Sequence, residues 1–261
     1  MKDLTIIIPV HEYNEIIKNA LTSIDEDSNV LIVTVQDAYE KVNSLISNMQ
    51  LKNNIEVLLN TGDSDFCSQV NLGVSNCSSK WFSILEFDDT FKPTWFKNVE
   101  KYINFNPEVS IFLPLTELVN PEGKFVSFTN EAAWATSFSN EIGFIDLDCL
   151  EDYFNFNLTG GVFNTDDWNE KGGLKSSMKI SFWYEFMLRM TYNEKKIMVI
   201  PKIGYTHLIG RENSLMNQYQ STISPEEGEW WIKTAKNEYF FKKDRKKTYN
   251  PTEGEEKIDV Q

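Results

Sequence analysis

Three carboxylates fall within four positions in Ile84-Leu85-Glu86-Phe87-Asp88-Asp89-Thr90, directly after an apolar run that begins at Trp81. On a buried strand, side chains two apart share a face, so Glu86 and Asp88 point the same way while Asp89 opens the turn. Carboxylates crowded at a strand end are costly to keep ionised unless something cationic sits among them. A hard divalent ion meets that need, because Mg²⁺ or Mn²⁺ prefers oxygen ligands and commonly takes one or two carboxylates together with substrate phosphates. The plainer alternative is a solvated acidic turn leading into a helix at Pro93. His11 and His207 are the only two histidines in the chain, and each follows an apolar run.

The elements that would position these residues read as α/β. Leu4–Val10, Val30–Val35, Ile55–Leu59 and Trp81–Phe87 are short and almost continuously apolar, as strands buried on both faces are. Between them, Ile16, Ile17, Ala20, Leu21 and Ile24, and then Val42, Leu45, Ile46 and Met49, recur at helical spacing. Pro93 suits a first helical turn, followed by Trp95, Phe96, Val99 and Tyr102, and Ile111–Leu115 is a further strand. The alternation predicts an open, mostly parallel twisted sheet with helices on both faces, whose carboxyl edge is where ligands bind. From about 120 to 173 the pattern loosens, with Gly160-Gly161 and Gly172-Gly173 pairs. Ile180–Tyr192 reads as a helix and Lys196–Ile203 as a strand. Beyond Ser224 the chain is charged and helical or loose, and Thr248–Gln261 reads as a frayed tail.

Composition bounds the partners. In 261 residues, 25 Lys and Arg stand against 39 Asp and Glu, a net charge of −14, which opposes an extensive nucleic-acid groove built on charge. Cys67, Cys77 and Cys149 are too few and too irregular for a disulfide framework or a zinc site, pointing to a reducing compartment. No apolar run reaches the roughly 18–20 residues of a membrane span, and MKDLTIIIPVHEYNE lacks a signal-peptide pattern. A cytoplasmic protein is expected, with peripheral membrane attachment left open. One stretch breaks the acidic rule: Lys233–Lys247 holds seven basic residues against two acidic ones, interleaved with aromatics. It fits either an anionic surface or an amphipathic helix packed back on the domain.

Four pieces in order carry a family resemblance: Ile6–Glu15 (IIIPVHEYNE), a strand ending at Gln36-Asp37, Ser68-Gln69-Val70-Asn71-Leu72-Gly73, and a strand ending in Glu86-Phe87-Asp88-Asp89. Together they resemble the nucleotide-sugar half of family 2 glycosyltransferases of GT-A fold, over about residues 3–105. The resemblance implies one GT-A domain over 1–224, with a nucleotide-sugar half (1–105), a smaller acceptor half (106–224), and a basic, aromatic extension at 225–261. It implies that Pro9, Val10, His11 and Glu12 line a nucleoside pocket, that Asp37 accepts from the base, and that Gln69 and Asn71 lie along the ribose and diphosphate. Asp89, Asp88, Glu86 and His207 would hold Mn²⁺ or Mg²⁺, with Asp88 also beside the ribose. Gly160 and Gly161 would stand at the donor sugar, and Arg211, where the family's H-x-N-S-L stretch has His, at phosphate. With no glycine-rich phosphate loop present, a metal-based clamp is the consistent way to hold a diphosphate.

The second half departs from the family. Phe182-Trp183 stands where inverting members carry the Glu-Asp pair that supplies the general base. Asp167, Asp166 and Glu185 remain as candidates for removing the acceptor proton. The activity implied is metal-dependent hexosyl or pentosyl transfer from a nucleotide-diphosphate sugar, a UDP-sugar foremost, to a hydroxyl of a glycan, lipid-linked or other acceptor. The alternatives are transfer to modified nucleic-acid bases, a sugar nucleotidyltransferase, and an inactive GT-A binding module.

Overall fold

The computed structural model describes residues 1, 3–136, 141–212 and 214–248, with 215, 216, 219, 220 and 241–248 described by backbone alone. The chain runs β1 (Leu4–Val10), α1 (Ile17–Thr22), β2 (Asn29–Thr34), α2 (Gln36–Asn48), β3 (Ile55–Leu59), α3 (Phe66–Ser75), β4 (Trp81–Ile84), β5 (Thr90–Phe91) and α4 (Trp95–Phe105). It continues as β6 (Val109–Val119), β7 (Phe125–Thr129), β8 (Phe144–Ile145), α5 (Leu147–Asp152), β9 (Val162–Asn164), α6 (Thr165–Lys171), α7 (Phe182–Tyr192), β10 (Lys196–Leu208), α8 (Leu215–Thr222) and α9 (Pro225–Thr248). Single 3₁₀ segments at Glu131–Trp134 and Ser176–Ser181 join the later elements.

The strands form one sheet in the order β3-β2-β1-β4-β9-β6-β10-β5, with β7 added to β6 and β8 to β10. The first four are parallel, and β9 runs antiparallel between β4 and β6. Period-two alternation along β1 sends its residues to two separate cores. Leu4, Ile6 and Ile8 pack with Ile17, Ala20 and Leu21 of α1, while Ile7 packs with Val70 and Val74 of α3. Helices therefore cover both faces, as the continuous apolar strands require. On α3, a Cβ at Gly73 would lie 2.5 Å from Ile7 Cγ2, so this glycine sets the close approach of helix to sheet.

Two details of register build the site. β4 ends at Ile84, three residues earlier than the apolar run suggests, because the chain turns through 85–89 with the Asp89 amide donating to the Glu86 carbonyl at 3.1 Å. β5 then pairs antiparallel with β10, Thr90 opposite Thr206, which sets His207 beside Asp89. The loosely patterned stretch resolves into short elements: β9 inserts antiparallel beside β4, with Trp81 opposite Asn164 and Ser83 opposite Val162. The helix expected over Ile180–Tyr192 is α7 from Phe182 on, preceded by the 3₁₀ segment Ser176–Ser181, in which Lys179 has φ +46°.

The first part of α9 belongs to the core. Trp231, Ala235 and Tyr239 recur four apart and face α7 and the Ser176–Ser181 turn, with Ala235 and Tyr239 buried. The Ser181 hydroxyl and the Lys179–Glu227 ion pair tie the same surfaces. This is the packed amphipathic helix of the two readings open for Lys233–Lys247, as far as Phe240. The side chains of Lys242, Lys243, Arg245, Lys246 and Lys247 lie outside the described residues, as does the segment 249–261. No helix among the described residues is long and apolar enough to cross a membrane.

Candidate active site

At the carboxyl edge of β1 and β4 a cavity of about 400 Å³ is lined by Pro9, His11, Phe66, Glu86, Phe87, Asp88 and the 207–211 segment, with Ser214 and Asn217. Glu86, Asp88 and His207 line it, and Asp89 lies buried behind them. Asp89 is fully buried; its Oδ1 accepts from the Leu208 amide at 2.8 Å and its Oδ2 lies 2.7 Å from His207 Nδ1. Glu86, Asp89 and His207 each bring a ligand atom within 4.8 Å of the others. Among the described residues the Glu86 carboxylate has no ion pair and no hydrogen-bond donor, although burial and then the Asp89 charge push its pKa up to about 8. Burial opposes a charge on His207, but Asp89 outweighs it and raises the imidazole to about 10. Two oxygen donors and an imidazole, one of them an unsatisfied carboxylate, fit a divalent ion of the Mn²⁺ or Mg²⁺ kind.

Asp88 does not join that cluster. The expected face-sharing of Glu86 and Asp88 fails because the strand has already ended, and Asp88 turns to Arg211, which donates from Nε at 2.7 Å. Arg211 also donates from Nη1 to Glu12 at 2.7 Å and lies 5.0 Å from the Phe87 ring centre. Burial, followed by its repulsion from Asp89, holds the Asp88 carboxyl above its ordinary range in spite of the guanidinium. His11 meets the same Phe87 edge-on at 5.1 Å, and its Nε2 is buried with no hydrogen-bond partner among the described residues. Burial lowers its pKa. Val10 is a core residue behind this wall.

A second depression of about 420 Å³ is lined by Val35, Gln36, Asp37, Asn60, Thr61, Gly62 and Ser64. Asp37 stands there in the first turn of α2 and is not its cap, which is Val35. Gln69 and Asn71 face elsewhere and correct the expectation that they lie along a ligand. Gln69 is fully buried and donates to the Ser64 carbonyl at 2.8 Å. Asn71 is consumed by the backbone of Leu174, giving one hydrogen bond at 2.8 Å and taking another at 2.9 Å.

Gly160 sits at φ +76° where a Cβ would come within 2.4 Å of the Tyr205 ring, and Gly161 stands against Leu113. The Gly160 amide donates to the Ile84 carbonyl, which fixes this pair beside the end of β4. The contact it permits matters, since the Tyr205 hydroxyl accepts from the Glu86 amide at 3.1 Å. Tyr205 was not among the sequence-predicted residues. The signal for it was the alternation in Gly204-Tyr205-Thr206-His207, which gives Tyr205 and His207 one face of β10.

None of the three candidate bases reaches the cavity. Asp166 and Asp167 follow β9 at the end that pairs with Trp81, the amino end of β4, roughly 15–20 Å of strand away from Glu86. Asp167 pairs there with Lys195. Glu185 is fully buried, receiving Lys175 Nζ at 2.6 Å, Arg189 Nη2 at 2.8 Å and the Tyr239 hydroxyl at 2.5 Å. Its role is structural. In the place of the missing acidic pair, Phe182 meets Phe66 of the cavity wall tilted, at 5.6 Å between ring centres, and Trp183 meets it edge-on at 5.8 Å.

Comparison with known proteins places this geometry. No curated protein sequence matches the chain. Among solved structures, S. aureus TarS 1-349 in complex with UDP-GlcNAc superposes with a TM-score of 0.62 at 15% identity, over 83% of this chain and 60% of that one. TarS 1-349 in complex with UDP gives 0.59 at 15% identity, over 99% and 76%, and the longer S. aureus TarS structure 0.57 at 16%, over 80% and 37%. The chain thus spans about 60% of the UDP-GlcNAc-bound structure. At such identity the likeness establishes the fold, the GT-A arrangement of a mostly parallel open sheet. The model of Glycosyl transferase family 2 matches residues 5–148, more than half of the 261, and covers β1 through the acidic turn: the chain belongs to that family.

Proposed function

We propose that this chain transfers a sugar from a nucleoside-diphosphate donor, a UDP-sugar, to an acceptor hydroxyl, with Mn²⁺ or Mg²⁺ held by Glu86, Asp89 and His207. The observation that carries the reading is the convergence of those three ligand atoms within 4.8 Å beside the cavity that Glu86 and His207 line, with no hydrogen-bond or ion-pair partner for the Glu86 carboxylate among the described residues. TarS, with the same fold, has been crystallised with UDP and with UDP-GlcNAc. When bound, the metal ion supplies Lewis acidity that offsets the charge gathering on the departing diphosphate. The chain's own residues do the rest. Pro9 and His11 form the wall against which a nucleoside rests, and Asp37, in the neighbouring depression, accepts from its base. Leu208 and Tyr205 hold Asp89 and Glu86 in place through the Leu208 amide and the Tyr205 hydroxyl. Calorimetry with UDP tests this: binding in Mn²⁺ that is lost in EDTA and in Asp89→Ala supports it, and equal affinity in all three removes its main support.

A second reading is favoured by one observation, the Phe66–Phe182–Trp183 aromatic cluster standing where an acidic pair would be, with Asp166, Asp167 and Glu185 all away from the cavity. In that reading the domain binds a nucleotide sugar without transferring it. Release of UDP from any UDP-sugar, even by slow hydrolysis, eliminates it. The acceptor on the first reading is a glycan, a lipid-linked hydroxyl or a nucleic-acid base, in that order, since the basic stretch that would favour the last is partly packed into the core.

A further inference from the structure

Tyr205 brings a single hydroxyl to two of the three residues that would hold the ion. The side chain is fully buried and its oxygen already accepts from the Glu86 amide at 3.1 Å, so its own proton needs an acceptor where water does not reach. The Asp89 carboxylate is that acceptor. Burial, and then the Asp89 and Glu86 charges, raise the phenol well above its ordinary range, so the oxygen keeps its proton and remains a donor. Asp89 is thereby held by the Leu208 amide, His207 and Tyr205 together. Glu86 is held through its backbone, which leaves its carboxylate for an ion.

The phenol ring is fixed from the side away from the cavity. A Cβ on Gly160 would come within 2.4 Å of it, Phe91 meets it edge-on at 5.4 Å between ring centres, and Tyr205 pairs with Phe91 in the β5–β10 ladder. Gly160 is itself clamped, giving its amide to the Ile84 carbonyl at 2.8 Å and taking the Trp95 indole N–H at 2.9 Å. A rigid phenol that grips one residue by its amide and another by its carboxylate fixes the distance between them. We propose that Tyr205 is a positioning residue of the metal cluster, whose hydroxyl sets the spacing of the Glu86 and Asp89 carboxylates, and that Gly160 lacks a side chain in order to seat its ring. The inference rests on the metal reading above and deepens it, since Tyr205 acts through two ligands rather than on the ion.

The test is titration of the full chain with Mn²⁺ alone, followed by the electron paramagnetic resonance of free and bound ion. Tyr205→Phe keeps the ring on Gly160 and removes only the hydroxyl; Mn²⁺ binds about 10- to 100-fold more weakly, the worth of a hydrogen bond to a charged group, and the bound signal changes shape. Tyr239→Phe is the control, because it deletes another buried tyrosine hydroxyl, bonded to Glu185 away from the cavity. It lowers the melting temperature in EDTA and leaves Mn²⁺ affinity unchanged. Gly160→Ala, which keeps the hydroxyl on a displaced ring, weakens Mn²⁺ in the same direction and decides the matter if Tyr205→Phe does not fold. The proposal is overturned if either site variant, once folded, binds Mn²⁺ as the original chain does, or if Tyr239→Phe weakens the ion as much. Failure of the original chain to bind Mn²⁺ overturns the metal reading itself, before any variant is made.

Discussion

Glu185→Ala should be strongly destabilising although the residue lies outside the cavity. The carboxylate is fully buried and takes hydrogen bonds from Lys175, Arg189 and Tyr239. Its three partners do not respond alike. Lys175 is 39% exposed and can turn to water, whereas Arg189 is locked by its bonds to the Lys171 and Gly173 carbonyls and would keep an unpaired charge inside. Breaking a buried pair from one side costs about 3–5 kcal/mol, and the escape of Lys175 puts the expectation near the lower end, about 3 kcal/mol. In a domain of this size that is a fall in Tm of about 6–12 °C. Urea unfolding and thermal melts of Glu185→Ala beside Glu185→Gln measure it, the glutamine variant losing less because it keeps an acceptor for Tyr239. UDP binding below the melting point stays intact, since Glu185 lies outside the cavity. A loss under about 1 kcal/mol would refute the idea that this carboxylate joins α7, α9 and the 171–175 loop.

Other outcomes follow from the same geometry. Gly160→Ala places a Cβ against Tyr205 at a positive φ, so both stability and Mn²⁺ affinity should drop, and a variant that melts and titrates like the original contradicts the contact. Asp167→Asn breaks only a partly exposed pair with Lys195; a change in UDP affinity beyond about twofold would return Asp167 to the site, while stability should fall by no more than about 1 kcal/mol. Metal-free protein should lose stability as pH rises. Folded Glu86 and His207 keep protons, to about 8 and about 10, that the unfolded chain releases from their ordinary 4.5 and 6.5. The stabilisation is complete below those ordinary values and disappears as pH passes the raised ones, by at most about 1.4 kcal/mol per pH unit for each proton. Mn²⁺ displaces these protons, so the melting gap between Mn²⁺-loaded and EDTA-treated protein should widen from pH 6 to 9, and a constant gap speaks against ligation by these two groups.

What could be read from the sequence divides along local and non-local lines. β1 to β3 and the helices α1, α2 and α4 declare themselves, because apolar runs buried on both faces and helical spacing are local signals. The acidic turn was legible for the same reason. Its internal arrangement was not: β4 stops at Ile84 and the partner of Asp89 arrives 118 residues later through the pairing of β5 with β10. Gln69 and Asn71 show the converse limit. Their types suit a ligand, but a buried carbonyl of Ser64 and the backbone of Leu174 claim them first, and neither partner is visible as a pattern. Asp166 and Asp167 sat in the right order along the chain, yet the antiparallel run of β9 carries them to the wrong edge of the sheet. Tyr205 was within reach of a period-two reading of β10, but its hydroxyl serves the Glu86 amide in the turn after β4.

The account's central claim is that Glu86, Asp89 and His207 hold a divalent ion which in turn holds a nucleoside diphosphate. A crystal grown with Mn²⁺ and UDP, with diffraction recorded at the manganese absorption edge, tests it most directly. The account predicts one strong anomalous peak among those three side chains, contacted by the diphosphate, with Asp88 still bonded to Arg211. A peak ligated by Asp88 with Arg211 displaced, or UDP bound with no metal peak at this cluster, would contradict it.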